Sequence, residues 1–220
     1  MLKPPELDEC IAKLKALYGP PPEPLRHPLE LILWENIGYL ASDDRRNKAL
    51  EALRERVGLH PEAILNAPWA TLVAICRLGG IHAELRAERL REIASLALER
   101  FGGDLRRALS KRDLKLFPAI GDPGAEKILL ICARQPKLAL DSNGLRVLVR
   151  LGYAREQKSY SSTYRAVQEA LEPQIRLNCG RLIDAFQLLR RHGQERCTRT
   201  RPRCHECPLS RECRFRRENG

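Results

Sequence analysis

Four cysteines within a short segment constrain the fold of this chain more than any other feature of its sequence. They follow the spacing C-x6-C-x2-C-x5-C, so four thiolates can converge on one centre and close a compact loop around it. A tetrahedral zinc ion and a cubane 4Fe–4S cluster both accept four cysteines, although zinc sites usually pair two short knuckles across a longer gap. The spacing therefore predicts a metal centre with ligands at Cys197, Cys204, Cys207 and Cys213.

The sequence also indicates the compartment in which the chain works. No apolar run approaches the roughly 18–20 residues that span a bilayer, and the first residues lack the apolar stretch of a secretion signal. We therefore expect a reducing, cytoplasmic and prokaryotic setting, in which cysteines are ligands or buried thiols rather than disulfides. Four further cysteines lie in apolar helical contexts and are expected in the core, namely Cys10, Cys76, Cys132 and Cys179.

The charge of the chain points to a polyanionic partner. Lysine and arginine number 39 against 28 aspartate and glutamate residues, which gives a formal net charge of +11. The segment from Arg190 to Arg217 alone holds ten arginines and three glutamates, a local charge of +7. An arginine-rich segment is often only a solvated surface, but this one is interleaved with the four cysteines. The combination favours a nucleic acid as the partner.

The distribution of apolar residues predicts an all-α protein. Alternating runs rich in β-branched and aromatic residues are missing, and aromatic residues make up only 5% of the sequence. Prolines and glycines punctuate the helical pattern, and the polar stretch 154–163 is interpreted as a loop. The predicted helices cover about residues 7–18, 29–41, 43–57, 61–66, 70–78, 83–101, 123–133, 143–151, 161–171 and 176–191.

A short segment between two predicted helices fits a helix–hairpin–helix. Residues 117–125 follow the order hydrophobic, proline, any residue, hydrophobic, glycine, with an alanine four positions further on. A tight turn of this kind exposes backbone N–H groups beside a helix amino terminus, which suits a phosphate and reads no base sequence. A plain connecting turn is the alternative, but the position about 75 residues before the cysteines favours the hairpin. Its phosphate-contacting residues would be Gly121 and Gly124.

Taken together, these features resemble the endonuclease III and MutY family of DNA glycosylases. The resemblance rests on the cysteine spacing, on the hairpin, and on Asp141-Ser142-Asn143 followed by Arg-Val-Leu, and it covers nearly the whole chain. It implies an all-α fold of two domains with a DNA-binding cleft between them. A six-helix barrel with the hairpin would occupy residues 25–138, and an iron–sulfur cluster domain would combine residues 1–24 with 139–220.

The resemblance also implies a cofactor and a partner. The cysteine loop would hold a 4Fe–4S cluster and present basic residues to the DNA backbone. We expect the chain to be a monomer and its partner to be double-stranded DNA with a damaged or mismatched base. The basic residues between two of the ligands are Arg199, Arg201 and Arg203.

Two loops are expected to fill the gap that a flipped nucleotide leaves. A base inside a duplex cannot be reached until its nucleotide is turned out of the stack. The family plugs the resulting gap from a loop after the helix that follows Pro28 and from a second loop near Gly-Gly. The corresponding residues are Tyr39 or Leu40 and Ile81 or His82, of which we select Leu40 and Ile81.

The family resemblance assigns catalytic roles to three residues. Asp141, whose own pattern is that of a helix cap, matches the aspartate that stabilises the oxocarbenium-like sugar as the base departs. Glu35 lies seven residues after Pro28, the spacing of the glutamate that protonates a leaving purine in MutY-like enzymes. The alternative is that Glu35 occupies a boundary position on its helix and has no catalytic role. Asn143 would orient Asp141 or the attacking water.

The lysine of bifunctional members of this family is replaced in this chain. Those members carry it two residues after the hairpin glycine, where its amine attacks C1′ and forms a Schiff base that leads to strand cleavage. Pro123 occupies that position here. Lys127, one turn later on the same helix face, is interpreted as a surface or phosphate-contacting residue, with a nucleophilic role as the alternative.

We therefore expect a monofunctional DNA glycosylase of base excision repair, which hydrolyses the N-glycosidic bond of a damaged or mispaired base. Adenine is the leading target because of Glu35 and the Asp141-x-Asn143 pattern, although the glutamine pair expected after Glu35 in MutY is missing. A thymine or uracil glycosylase acting on mismatches with guanine is an alternative, as are an alkylpurine glycosylase and a glycosylase–lyase that uses Lys127. A non-catalytic iron–sulfur module that binds DNA is a further alternative.

Overall fold

The computed structural model describes residues 4–175 and 178–219 and confirms the all-α prediction. In these ranges no β-strand is present, and Tyr39 and Gly80 form an isolated bridge. None of the described helices has both the length and the apolar character needed to cross a membrane. The α-helices are α1 (Leu7–Tyr18), α2 (Pro28–Ile37), α3 (Asp43–Arg56), α4 (Pro61–Asn66), α5 (Trp69–Leu78), α6 (Ala83–Phe101), α7 (Lys111–Leu114), α8 (Asp122–Cys132), α9 (Ser142–Leu151), α10 (Tyr160–Leu171), α11 (Cys179–Glu195) and α12 (Arg214–Asn219).

Helix boundaries differ from the predicted ones where local backbone chemistry intervenes. α2 ends at Ile37, several residues early, because Gly38 leaves the helical region with φ −133° and ψ 145°. α10 begins inside the polar stretch that was interpreted as a loop, because the Ser159 hydroxyl caps it and accepts a hydrogen bond from a backbone N–H of its first turn. The predicted start of the last long helix, residue 176, lies outside the described residues.

The chain forms two compact units, and the first of them is Pro24–Ala133, here called the central unit. α6 is its main helix and packs against α2, α4 and α5. Apolar residues of α6 recur at spacings of three and four, and Leu90 and Ile93 are fully buried. The segments that follow α2 and α5 meet at the carboxyl ends of these helices, where the Tyr39 N–H donates to the Gly79 carbonyl at 3.1 Å.

The second unit, here called the terminal unit, combines Met1–Glu23 with Arg134–Gly220. α11 packs against α1 and α9, and α12 packs against α9. The approach of α9 to α11 is closest at Gly193, where a Cβ atom would lie 2.6 Å from the Asn143 carbonyl oxygen. Only glycine fits at this position, so the first turn of α9 is held directly against the carboxyl-terminal half of α11.

Three of the four cysteines expected in the core are buried, and Cys132 is partly exposed. Burial raises the pKa of both Cys10 and Cys76 to about 12. Their thiols are therefore protonated at neutral pH and fill the core as small apolar groups.

Candidate active site

Asp141 caps the amino terminus of α9. Its backbone is extended, with φ −88° and ψ 179°. Its Oδ1 accepts hydrogen bonds from the backbone N–H groups of Asn143 at 3.0 Å and Gly144 at 2.8 Å. Two N–H groups that the helix leaves without a partner are thus bound by one carboxylate oxygen. The cap interpretation of Asp141 is confirmed, and the cap fixes the carboxylate at one place in the terminal unit.

The other oxygen of Asp141 is bound by two side chains. Asn143 Nδ2 donates to Oδ2 at 2.9 Å, and Arg190 of α11 donates to the same oxygen through Nη1. Each donor interacts more strongly with a carboxylate than with a carboxylic acid. Both oxygens of Asp141 are therefore bound by donors, while 21% of its side chain stays exposed.

Arg146 orients the Asn143 amide. Its Nη2 donates to Asn143 Oδ1 at 2.9 Å and to the Gly193 carbonyl at 2.7 Å, and its Nε donates to the Cys197 carbonyl at 2.9 Å. Because the amide oxygen faces Arg146, the amide nitrogen faces Asp141. Neither Arg146 nor Arg190 was singled out from the sequence. The arginine of the Arg-Val-Leu segment was quoted only as part of a pattern, and Arg190 only as charge.

Tyr160 is an aromatic neighbour of this site that the sequence did not reveal. Desolvation of its phenol, with the nearby charge of Asp141, raises the pKa of Tyr160 to about 12, although 46% of the residue is exposed. Its ring stacks with Tyr164 at a centroid distance of 6.2 Å. Gln168 donates to the Leu138 carbonyl at 2.6 Å and ties α10 to the segment that leads to Asp141. Local pattern alone could not have placed α10 beside this segment.

Glu35 lies near the end of α2 in the central unit, between two cations. Lys127 Nζ of α8 donates to Glu35 Oε1. Arg46 Nη1 of α3 lies 3.9 Å from Glu35 Oε2. The side chain of Glu35 is 27% exposed. Opposite charges this close favour the ionised carboxylate, whereas the role assigned by resemblance needs a proton on Glu35.

Lys127 does not lie on the surface, so the surface part of its interpretation is wrong, and the phosphate-contacting part stays a prediction. The residue is 4% exposed, because α8 is buried along Ala125–Ile131 and turns this face toward the interior of the central unit. Its ammonium group also lies 5.0 Å from the centroid of the Trp34 ring, and the Arg46 guanidinium lies 5.1 Å from the same ring. Trp34 therefore lies beside both cations that face Glu35.

The hairpin residues lie in the first turn of α8, as the sequence predicts. Gly121 is its N-cap, and Pro123 lies in the first turn, where a proline is tolerated. Ala119 has φ +58°, a left-handed conformation that redirects the chain before Gly121. Asp122 forms ion pairs with Lys115 at 2.8 Å and Lys111 at 3.5 Å, so a carboxylate and two ammonium groups lie beside the turn.

The two loops proposed to plug the duplex carry exposed apolar side chains and are joined to each other. Leu40 is 75% exposed with φ +48°, and Ile81 is 50% exposed. The backbones of the two loops are in direct contact, because a Cβ on Gly79 would lie 2.2 Å from the Ile37 carbonyl oxygen. The structure thus brings together two residues that are 41 positions apart in the sequence.

The four cysteines of the loop are neighbours in the terminal unit. Burial, with smaller contributions from the neighbouring thiols of Cys197, Cys213 and Cys204, raises the pKa of the Cys207 thiol to about 11. Arg150 Nη1 lies 3.3 Å from Cys197 Sγ, and His192 Nε2 lies 3.4 Å from Cys207 Sγ. In the described part of the chain, no group of three or more His, Cys, Asp or Glu side chains is arranged to hold a metal ion.

Comparison with known proteins decides the family. Residues 41–173 match the model of the HhH-GPD superfamily base excision DNA repair protein. The chain belongs to the HhH-GPD superfamily. The resemblance to the endonuclease III and MutY family is thereby confirmed, and the matched residues include the loop after α5 that carries Ile81, the hairpin and Asp141.

Relatives within the HhH-GPD superfamily extend the match along the chain. The endonuclease III of Thermotoga maritima is 25% identical over 193 residues, which cover 88% of this chain and 85% of that protein. The thymine-DNA glycosylase of Aeropyrum pernix is 32% identical over 162 residues, which cover 70% of this chain and 68% of that protein. A solved non-covalent endonuclease III–DNA complex has the same fold, with a TM-score of 0.78 at 20% identity and coverage of 96% and 95%.

The candidate residues of this HhH-GPD chain are divided between the two units. The central unit holds Glu35 with its two cations, Leu40, Ile81 and the hairpin. The terminal unit holds Asp141 with its four donors, together with the cysteine loop. As a base excision repair DNA glycosylase of the endonuclease III type, the chain therefore carries one acidic candidate on each unit.

Proposed function

We propose that this chain is a monofunctional DNA glycosylase that removes a mispaired base by hydrolysis. The observation that supports this most is the set of donors around Asp141: two backbone N–H groups, the Asn143 amide and Arg190. A carboxylate held ionised in one orientation stabilises the positive charge that develops on the sugar as the C1′–N bond breaks. Asn143 keeps the carboxylate in place and does not itself react.

Water, rather than an amine of the protein, is the nucleophile in this proposal. Pro123 offers no amine at the position of the lyase lysine. The amine of Lys127 is an ammonium group bound to Glu35, so it has no lone pair for attack on C1′. The electrons of the C1′–N bond leave with the nucleobase, the water oxygen bonds to C1′, and water gives up one proton to a general base. The released nucleobase anion takes up a proton from solvent. The DNA strand stays intact.

The contact between Lys127 and Glu35 favours a pyrimidine as the target. A purine leaves readily when an acid protonates its N7, but a carboxylate paired with an ammonium group has no proton to give. Thymine and uracil depart as anions stabilised by their two carbonyl groups and do not need such an acid. The Aeropyrum pernix relative named as a thymine-DNA glycosylase supports the same choice. We therefore propose thymine or uracil opposite guanine as the substrate.

Adenine is the second candidate. Glu35 stands at the spacing from Pro28 that MutY-like enzymes use, and Asp141-x-Asn143 matches their pattern. With adenine as the target, DNA binding would have to separate Glu35 from Lys127 so that the carboxyl group could take up a proton. The two candidates differ in the base that is released, so one set of duplexes distinguishes them.

The cysteine loop is proposed to hold a 4Fe–4S cluster through Cys197, Cys204, Cys207 and Cys213. The residue types fit such a group, and binding would draw the four sulfurs of the loop into an arrangement that the described residues do not show. Arg150 Nη1 and His192 Nε2 lie near two of these sulfurs. Bound there, the cluster would supply four iron–sulfur bonds that fix the loop. Arg199, Arg201 and Arg203 are exposed on this loop and are proposed to contact DNA phosphates.

We propose that the chain is a monomer and that its partner is double-stranded DNA. The N–H groups in the first turn of α8, beside Gly121 and Gly124, would bind one phosphate. Leu40 and Ile81 would fill the gap left by the flipped nucleotide, because both are apolar, exposed and joined through their loops.

A panel of duplexes tests the proposal. Substrates with thymine, uracil or adenine opposite guanine, adenine opposite 8-oxoguanine, and an alkylated purine are incubated with the protein and analysed before and after alkali. We expect release of thymine or uracil, a strand that breaks only after alkali, and no adduct trapped by borohydride. Asp141→Asn should slow excision about a hundredfold or more while binding persists, since the shape is kept and the charge is lost.

The matched control is Asp184→Asn, which removes a partly exposed carboxylate of α11 paired with Lys15 and should leave excision unchanged. Release of adenine alone would select the second candidate. Strand breaks without alkali, together with borohydride trapping, would contradict the monofunctional assignment. An inert protein on every duplex would contradict the proposed activity itself.

A further inference from the structure

Lys127 is a buried cation whose principal contacts lie on other helices of the central unit. It is 4% exposed, and its ammonium group contacts Glu35 on α2 and faces the Trp34 ring at 5.0 Å. A lysine is almost never fully buried unless a partner compensates its charge. The partner here is the carboxylate that the resemblance assigns to catalysis.

The surroundings of Lys127 show that its charge is directed at Glu35 rather than at its own helix. The adjacent carboxylate on α8, Glu126, is 5% exposed and accepts from Lys111 Nζ at 2.8 Å. Lys127 and Glu126 thus point to different partners, 92 and 15 positions away in the sequence. Two adjacent buried charges on one helix are each compensated by a separate residue.

We propose that Lys127 is a positioning residue for excision, which holds the Glu35 side chain as a carboxylate in one orientation so that it accepts the proton of the attacking water. The inference rests on the proposed function and extends it. Arg46 Nη1, 3.9 Å from the second oxygen of Glu35, limits rotation of the carboxylate from the other side. Lys127 itself touches neither water nor DNA in this proposal.

Other charged groups also face this part of α2 from the elements packed against it. Arg46 comes from α3, and Arg86 comes from α6, where burial lowers its pKa and its Nη1 donates to the Asn36 carbonyl at 3.4 Å. Cys132 is a thiol whose pKa burial raises to about 11. His27 lies at the cap of α2, Glu126 lies on α8, and Arg106 and Arg107 lie on the short helix Leu105–Ala108, which packs against α2. Lys127 and Arg46 both contact the Glu35 carboxylate.

A double-mutant cycle tests whether Lys127 acts through Glu35. Single-turnover excision rates and duplex affinities are measured for Lys127→Met, Lys127→Arg, Glu35→Gln and the double variant Glu35→Gln with Lys127→Met. We expect Lys127→Met to lower the rate roughly tenfold or more with affinity nearly unchanged, and Lys127→Arg to recover most of the rate. In the Glu35→Gln background, Lys127→Met should have no further effect.

Equal rate losses from Lys127→Met in both backgrounds would overturn the proposal, because the lysine would then act independently of Glu35. Loss of affinity in parallel with rate would also overturn it. Circular dichroism melting shows whether each variant folds. If Lys127→Met does not fold, Lys127→Arg, which keeps the charge, is compared with Glu35→Gln instead.

A spectroscopic measurement tests the pair without any activity. The chain has two tryptophans, so Trp69→Phe leaves Trp34 as the single emitter beside Glu35 and Lys127. Lys127→Met should move the pH-dependent step in Trp34 emission to higher pH, because a nearby positive charge favours the charged carboxylate. Glu35→Gln should abolish that step. A titration identical with and without Lys127 would sink the inference even if excision is observed, whereas an inactive protein that titrates as expected would contradict only the proposed function.

Discussion

Ala119 is a residue whose backbone conformation suits glycine better than alanine. Its φ of +58° lies in the left-handed region, which costs a residue with a Cβ roughly 1–2 kcal/mol. The turn requires this conformation, because it redirects the chain so that Ile120 is buried and Gly121 caps α8. The hairpin therefore stores local strain at the place where backbone N–H groups are presented.

Replacing Ala119 with glycine should stabilise the protein by about 0.5–1 kcal/mol, the strain removed less the entropy that glycine gains in the unfolded chain. The midpoint of denaturant unfolding measures the change. Ala70→Gly is the matched control, because Ala70 is exposed within α5 and the same substitution there should destabilise by about 1 kcal/mol. A destabilised Ala119→Gly variant would show that the left-handed conformation is not strained.

Arginines determine how α2 and α5 end and how their following loops are held. Arg46 Nη1 donates to the Glu35 carbonyl at 3.1 Å, and Arg45 Nε donates to the Leu78 carbonyl at 3.1 Å. Arg86 donates to the Asn36 carbonyl. A positive charge at a helix carboxyl terminus also interacts favourably with the helix dipole. Both helices lead directly into the loops that carry Leu40 and Ile81.

The close contact between these loops predicts the effect of one added methyl group. Gly79→Ala places a Cβ 2.2 Å from the Ile37 carbonyl oxygen, so the loops must separate, which should cost about 1–3 kcal/mol and lower the excision rate. Gly79 has a negative φ of −81°, so backbone strain does not contribute. Denaturant unfolding and single-turnover excision measure the two effects.

Gly180→Ala is the control for that substitution, since its Cβ would meet only the Asn178 side chain at 3.3 Å in α11. If Gly79→Ala has the same stability and excision rate as the parent protein, the loops move apart without cost.

Elements were predictable from the sequence to the extent that their signals are local. Apolar spacing and punctuation by glycine and proline placed the helices, and Asp141 was recognisable as a cap. The pairing of Glu35 with Lys127 was not, because the residues are 92 positions apart and nothing in either helix specifies the partner. The same holds for Arg190, which reaches Asp141 across 49 positions. Contacts between elements follow from packing, which a local pattern does not contain.

At the scale of the whole molecule, positive charge is concentrated at the cysteine loop. Ten of the 39 basic residues fall between Arg190 and Arg217. Several of these arginines serve the structure: Arg196 pairs with Glu206, and Arg214 donates to the carbonyls of Val149 and Ala154. Arg199, Arg201 and Arg203 are exposed instead, which leaves them suited to phosphates.

Neutralising Arg199 should weaken binding to all duplexes about equally. One lost phosphate contact lowers the slope of log affinity against log salt by about one unit, whichever bases are present. Fluorescence anisotropy at several salt concentrations measures the slope for Arg199→Gln, with Arg100→Gln on α6 as a matched exposed arginine. A change confined to one mismatch would mean that Arg199 reads a base.

The backbone contact between Gly38 and Gly79 has a kinetic consequence for the plug. Because no side chain separates the two loops, Leu40 cannot advance into a duplex while Ile81 stays behind. If the two side chains fill the duplex as proposed, they would insert as one rigid part of the central unit, in a single event with a single barrier. Search along undamaged DNA would then be paced by how often the duplex opens wide enough for both side chains, not by the flexibility of either loop.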